Sequence, residues 1–201
     1  SDPDTNVIEI KASGKVTVLD TNGVAGEIAR STPTWLFKNQ THQTNLRNLS
    51  INFTSKCRLD IGSIGWLASL SAEIKDKVRY KIVETETNSS ALDAVQKGLG
   101  VCQDQTSIFI GSCRCIGSPS RYVSGYLLLD EIEHQTAMHV WAEAFVPSLG
   151  RVVYVSNGVT SDTKYVRNAQ GRDNSNVAPV KGTIFRGLED FISVNLIVQQ
   201  H

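Results

Sequence analysis

The chain is poor in several things, and each shortage closes off a class of protein. Its 201 residues include four cysteines, Cys57, Cys102, Cys113 and Cys115. These do not make the disulfide framework of a small secreted domain. Cys113-Arg114-Cys115 is too close for an ordinary bridge and has no His or Cys partner at zinc spacing, so both thiols read as packing residues. Charge of one sign is missing as well: 20 basic residues stand against 20 acidic ones. No electrostatic case exists for nucleic acid or an anionic membrane surface, and neither is expected as a partner. No apolar run approaches the ~20 residues of a spanning helix. His42, His134 and His201 have no metal spacing, no Gly-rich phosphate loop is present, and no Asp/Glu cluster suggests calcium. No metal and no cofactor is therefore expected. Repeats and low-complexity tracts are also absent. The chain opens on Ser1-Asp2-Pro3, without Met and without a signal peptide, and reads as a processed product. The compartment stays open, with the cytoplasm slightly favoured.

What is present is a globular pattern. Apolar residues make up 40% of the chain, enough for a real core, and the length suggests one domain, or one domain plus a fragment. Residues 7–19 alternate polar and apolar around Ser13-Gly14, which predicts two strands and a turn. They have few strand partners nearby, so residues 1–35 are expected to be the remnant of an N-terminal β-rich domain and 36–201 the core. Residues 42–55 predict a helix with Leu46, Leu49 and Phe53 on one side. Residues 60–78 predict a stronger one, capped by Asp60, with apolar residues from Ile61 to Val78 at three- and four-residue spacing. A short helix follows Ser89 or Ser90 and ends at Gly98 and Gly100. Another runs from Cys102 to about Ile116, with Ile108, Phe109 and Cys113 inward. Strands are then expected at 122–129, 138–146, 151–156, 164–168 and 191–198. Helices first and strands after is an α+β order with an antiparallel sheet.

Two segments of this pattern carry chemistry. Gly-Leu-Gly at 98–100 stops one element, and Val101-Cys102 begins the next. A thiol at a helix N-terminus meets the positive end of the dipole, which favours its thiolate and makes it a better nucleophile. His139, in Met-His-Val-Trp-Ala-Glu on a predicted strand, can supply the proton transfers. Either residue alone reads more simply as core packing. Their neighbours give the pair its context. Amides at 102 lack intrahelical partners and can receive an oxyanion; Gln103 can orient the loop or donate beside it. Asp104 in the first turn suits the dipole. Trp141 and Glu143 share the His139 face of a period-two strand, and Trp141 is a candidate wall of the substrate cleft. Arg121 reads as a loop anchor, and Arg172-Asp173 as an ion pair.

The order of these pieces is recognisable: Leu99-Gly-Val-Cys-Gln-Asp, then Cys115-Ile-Gly-Ser-Pro-Ser-Arg-Tyr-Val-Ser-Gly-Tyr, then His139-Val-Trp-Ala-Glu-Ala-Phe-Val-Pro-Ser-Leu-Gly, then Ser156-Asn-Gly, then Gly171-Arg-Asp-Asn-Ser-Asn-Val-Ala-Pro-Val-Lys-Gly. It resembles the bacterial transglutaminase-like superfamily of candidate cysteine proteases, well over 36–198 and loosely over 7–32. The resemblance implies an α+β, papain-like core preceded by β-strands. The Cys caps the central helix, the His lies on the adjoining antiparallel sheet, and an Asp on the next strand orients the His. Cys102 matches the nucleophile and His139 the base. The Asp has no match. Aligned without a gap from His139, its slot holds Val155; aligned back from Asn157-Gly158, it is missing or replaced by Tyr154. Arg151 stands where a Trp is expected. Asn157 or Asp173 could orient the imidazole instead.

Two functions follow. One is thiol-dependent acyl transfer, most simply hydrolysis of peptide or isopeptide amides through a Cys102 acyl-thioester, with a protein or peptide as substrate. The other is a weakened or inactive relative that serves as a protein-binding module, the expectation if nothing replaces the Asp.

Overall fold

In a computed structural model of the protein, the described residues are 9–26, 33–50, 53, 61–81, 90–128, 134–135, 138–155, 164–178 and 196–198. Helix α1 spans Ile64–Lys77. The expected cap at Asp60 is not where it starts. Gly62, with φ +85°, interrupts any earlier helical start, and Ser63 accepts the Trp66 N–H at 3.1 Å instead. Its Trp66, Leu67, Leu70 and Ile74 are buried, which is the inward face the spacing predicts. Helix α2, Ala91–Lys97, opens on a capping box between Ser90 and Asp93 and closes on Gly98 in the left-handed region. Helix α3 spans Cys102–Cys115, and every residue from Thr106 to Arg114 is buried.

The sheet is antiparallel throughout, in the order β1 (Val24–Gly26), β7 (Arg151–Val155), β6 (His139–Val146), β4 (Ser120–Leu127), β8 (Tyr165–Gly171). Two small ladders complete the strands: β2 (Arg79–Tyr80) runs parallel to β3 (Leu99–Gly100), and β5 (His134–Gln135) antiparallel to β9 (Leu196–Ile197). A last turn of helix, α4, covers Asn174–Val177. Tyr122, Val140, Ala142, Ala144 and Val146 join the helices in one hydrophobic core, so the helical layer covers one face of the sheet. The architecture is the α+β arrangement with an antiparallel sheet that the element order predicts.

Two predicted elements differ. Residues 42–46 are not helical; Arg47 has φ +50°, a 3-10 turn spans Arg47–Ser50, and Phe53 is helical, the rest of 51–55 lying outside the described residues. Leu46 and Phe53 are still buried, as the pattern requires. Residues 9–20 form no strands and lie exposed, while Val24–Gly26 joins the edge of the core sheet beside β7. Alternation alone predicts a strand only where a partner ladder exists to satisfy the backbone.

Arg114 ties the layers together from inside α3. Its guanidinium donates to the carbonyls of Phe37, Ser120 and Arg172 and to Thr44 Oγ1, at 2.7–3.3 Å. Burial pushes it down to about 10. It joins the segments of Phe37, Thr44 and Arg172 to the end of the Cys102 helix and holds Ser120, the first residue of β4, against it.

Candidate active site

Cys102 is the first residue of α3. The turn that delivers it is tight. Gly100 has no room for a side chain, because an added Cβ would lie 2.8 Å from Asp104 Cβ. Asp104 Oδ2 accepts the Val101 N–H at 2.9 Å, and the Asp104 and Gln105 amides donate to the Val101 carbonyl. The backbone N–H groups of Gln103, Cys102 and, from β6, Val140 favour the anionic form of the sulfur. Burial outweighs them and pushes the thiol above its ordinary value, with the Asp104 carboxylate adding to the rise. The dipole at the helix N-terminus therefore does not produce the resting thiolate that the sequence suggests. Desolvation of the sulfur is the larger effect.

His139 is the first residue of β6 and half-buried. Burial lowers its pKa, so the neutral imidazole is favoured. Its ring stacks on Trp141 at 6.3 Å and 25° and meets Tyr165 at 5.7 Å; Trp141 and Tyr165 pack edge-on at 5.4 Å. Trp141 is 1% exposed, so it backs His139 rather than forming an open cleft wall. It sits over Gly125, where an added Cβ would come within 2.7 Å of its ring and strike the Val166 carbonyl. Further along the same face, Glu143 is fully buried between Arg121, at 2.6 Å, and Arg167, at 3.4 Å. Arg121 is thus an anchor, but for a strand rather than a loop.

The Val140 N–H, in the peptide that links His139 and Val140, adds a small effect that favours the Cys102 thiolate. The imidazole leaves that peptide toward Trp141 and Tyr165. Gln103 is exposed, and its contribution is its main-chain N–H. Asn157 lies outside the described residues. Val155 stands opposite Ala142 in the β6–β7 ladder, an odd number of positions from His139. Asp173 caps α4, accepting Ser175 N at 3.0 Å and Ser175 Oγ at 2.6 Å, and makes no ion pair with Arg172.

Tyr122 is a residue the sequence reading passed over. It lies on the helix-facing side of β4, is fully buried, and its hydroxyl has no hydrogen-bond partner among the described residues. Burial raises its phenol strongly, and the charges of Cys102, Asp104 and Asp173 raise it further. The signal was available: in Ser120–Leu127, period two puts residue 122 on the face opposite Arg121.

A profile of the Transglutaminase-like superfamily matches residues 64–158. The similarity to that superfamily thus spans residues 64–158. The match contains both Cys102 and His139. An uncharacterised protein of Mycobacterium leprae is 34% identical over 113 residues, covering 54% of this chain and 40% of the relative. An uncharacterised Mycobacterium bovis protein is 28% identical over 137 residues, covering 63% and 44%. The chain spans less than half the length of these relatives. Among solved structures, a candidate cysteine protease from Cytophaga hutchinsonii superposes with a TM-score of 0.57 at 21% identity, covering 80% of this chain and 55% of that one. The transglutaminase-like fold is thereby established.

Proposed function

We propose that the protein performs thiol-dependent acyl transfer, as a hydrolase of peptide or isopeptide amide bonds, with Cys102 as nucleophile and His139 as base. The observation that supports this most is that Cys102 opens the central helix, which packs on β6, the strand whose first residue is His139. Both groups rest neutral, one raised and one lowered by burial. The imidazole takes the thiol proton as sulfur attacks the carbonyl carbon. The Cys102 and Gln103 amides receive the oxyanion. Collapse expels the amine, which takes the proton back from the imidazolium. Water, deprotonated by the same imidazole, then cleaves the thioester and restores the thiol.

A second reading, a weakened relative kept as a protein-binding module, draws support from the same burial, since a raised thiol is a poor resting nucleophile at neutral pH. An N-acylated peptide p-nitrophenyl ester separates the two. Peptide mapping is expected to find a transient acyl group on Cys102 that Cys102→Ser abolishes. No acyl group there, or one on Cys115 instead, would favour the binding module.

A further inference from the structure

On the reading of Cys102 as nucleophile and His139 as base, we propose that Arg167 forms a carboxylate-recognition subsite beside His139. The substrates it selects are peptides with a carboxylate within a few residues of the bond to be cleaved, either a free C-terminus or an acidic side chain. Arg167 reaches this place through the register of three strands. His139 pairs with Gly125, and Gly125 with Arg167. Residues paired directly across a ladder point to one face, so His139 and Arg167 share a face, about 10 Å apart between backbones at the ordinary strand spacing. The β4–β8 ladder slips at this row: Ser124 pairs with Ala169 and Gly125 with Arg167, which leaves Asn168 as an extra residue. Without that bulge Asn168 would stand opposite Gly125; bulges re-aim side chains in this way. Gly125 has no side chain, and the Trp141 ring lies over it. Tyr165, two residues from Arg167 on β8, meets the His139 ring at 5.7 Å and the Trp141 ring at 5.4 Å. The face of β8 that carries Arg167 therefore lies against the imidazole.

The charges point the same way. Glu143 is fully buried and receives Nε and Nη2 of Arg121, each at 2.6 Å. That pair is already neutral. Arg167 adds a second guanidinium, whose Nη1 stands 3.4–3.5 Å from the carboxylate oxygens, at the outer limit of a hydrogen bond. Its Nε and Nη2 have no partner among the described residues. Its side chain is 37% exposed, against 6% for Arg121. A mere counter-ion for Glu143 would sit close and buried, as Arg121 does. The cluster instead holds two positive charges against one negative, with the excess at its open end. A guanidinium presents five N–H donors in a planar fork that matches a carboxylate through two parallel bonds. The aromatic rings of Trp141 and Tyr165 beside it lower the local dielectric, which strengthens such a contact.

The test is binding to the full chain carrying Cys102→Ala, followed at constant ionic strength by the nitrogen-15 signals of the Arg167 Nε–H and the Trp141 indole N–H. Three small probes are titrated. N-acetylglycine carries a terminal carboxylate, the α-amide of N-acetylglutamic acid a side-chain carboxylate, and N-acetylglycinamide none. At least one acid is expected to shift both signals saturably, while the neutral probe leaves them in place. The acid that saturates at the lower concentration identifies the source of the carboxylate. Read at Trp141, that acid should bind Arg167→Gln about tenfold more weakly, the worth of one charge-assisted hydrogen bond. An equal response to all three probes, or an unchanged affinity in Arg167→Gln, overturns the inference. The comparison of probes decides the matter even if Arg167→Gln folds poorly. Failure of the parent to form an acyl group on Cys102 would end the reading of Cys102 as nucleophile, and the binding result would still say whether Arg167 takes carboxylates.

Discussion

At the residue scale, the sulfur of Cys102 sits between opposing terms, and their signs can be read. Three amides favour the thiolate, while burial and the Asp104 carboxylate oppose it and win. The folded-state pKa lies above the ordinary 9.0. Between the ordinary value and the raised one, the unfolded chain loses this proton and the folded chain keeps it. Folding stability from this group is therefore complete below pH 9 and falls as pH rises through the folded value. Alkylation of Cys102 should keep climbing beyond pH 9, with no plateau near pH 6. Asp104→Asn removes the adjacent charge and keeps an acceptor for Val101 N–H, so it should move the Cys102 midpoint downward. An unchanged midpoint would mean that the carboxylate is too well screened to matter.

At the element scale, the Cys102 helix is held by its contacts more than by its propensities. Gly111 lies in its middle, where alanine would ordinarily gain about 0.5–1 kcal/mol. Here an added Cβ would overlap the Thr44 carbonyl oxygen and approach Leu46 Cδ1 at 3.3 Å. Backbone cannot rotate away as a side chain can, and overpacking costs about 1–3 kcal/mol. Gly111→Ala should therefore lower the urea midpoint, and a rise would show that the Thr44 segment yields easily. The helix itself was legible in the sequence, from the Gly98–Gly100 break and the inward spacing of Ile108, Phe109 and Cys113. Its dependence on Thr44 and Arg114 was not. The contacts of Arg114 to Phe37, Thr44 and Arg172 join residues 58 to 77 positions apart, and its carbonyl and hydroxyl acceptors leave no periodicity to read. Ser63 displaced Asp60 as a cap because a positive φ at Gly62 is a backbone fact that no residue spacing encodes. At the site, the positions of Cys102 and His139 came from motif order. The aromatic packing of His139 on Tyr165 came only with the strand register, since it depends on which residues lie near each other across the sheet.

At the scale of the whole molecule, one sheet receives the helical layer, with Cys102 at the start of its central helix, on one face and keeps a buried charged cluster on the other, where His139 stacks on Trp141 at the start of β6. The N-terminal segment divides in its contribution. Residues 9–20 are exposed, whereas Val24–Gly26 pairs with β7. Removing residues 1–20 should leave the melting temperature within a degree or two. Removing residues 1–32 should lower it, because the β7 edge loses its ladder partner. An equal loss from both truncations would return the first twenty residues to the core. The central claim concerns the pair of Cys102 and His139, and the rate of Cys102 acylation by the peptide p-nitrophenyl ester, in the parent and in His139→Gln at pH 7.5, tests it most directly. General-base help from an imidazole contributes about 10²–10⁴-fold, so the account predicts a loss of at least two orders of magnitude. Equal rates in the two proteins would contradict it and leave His139 as a member of the aromatic packing alone.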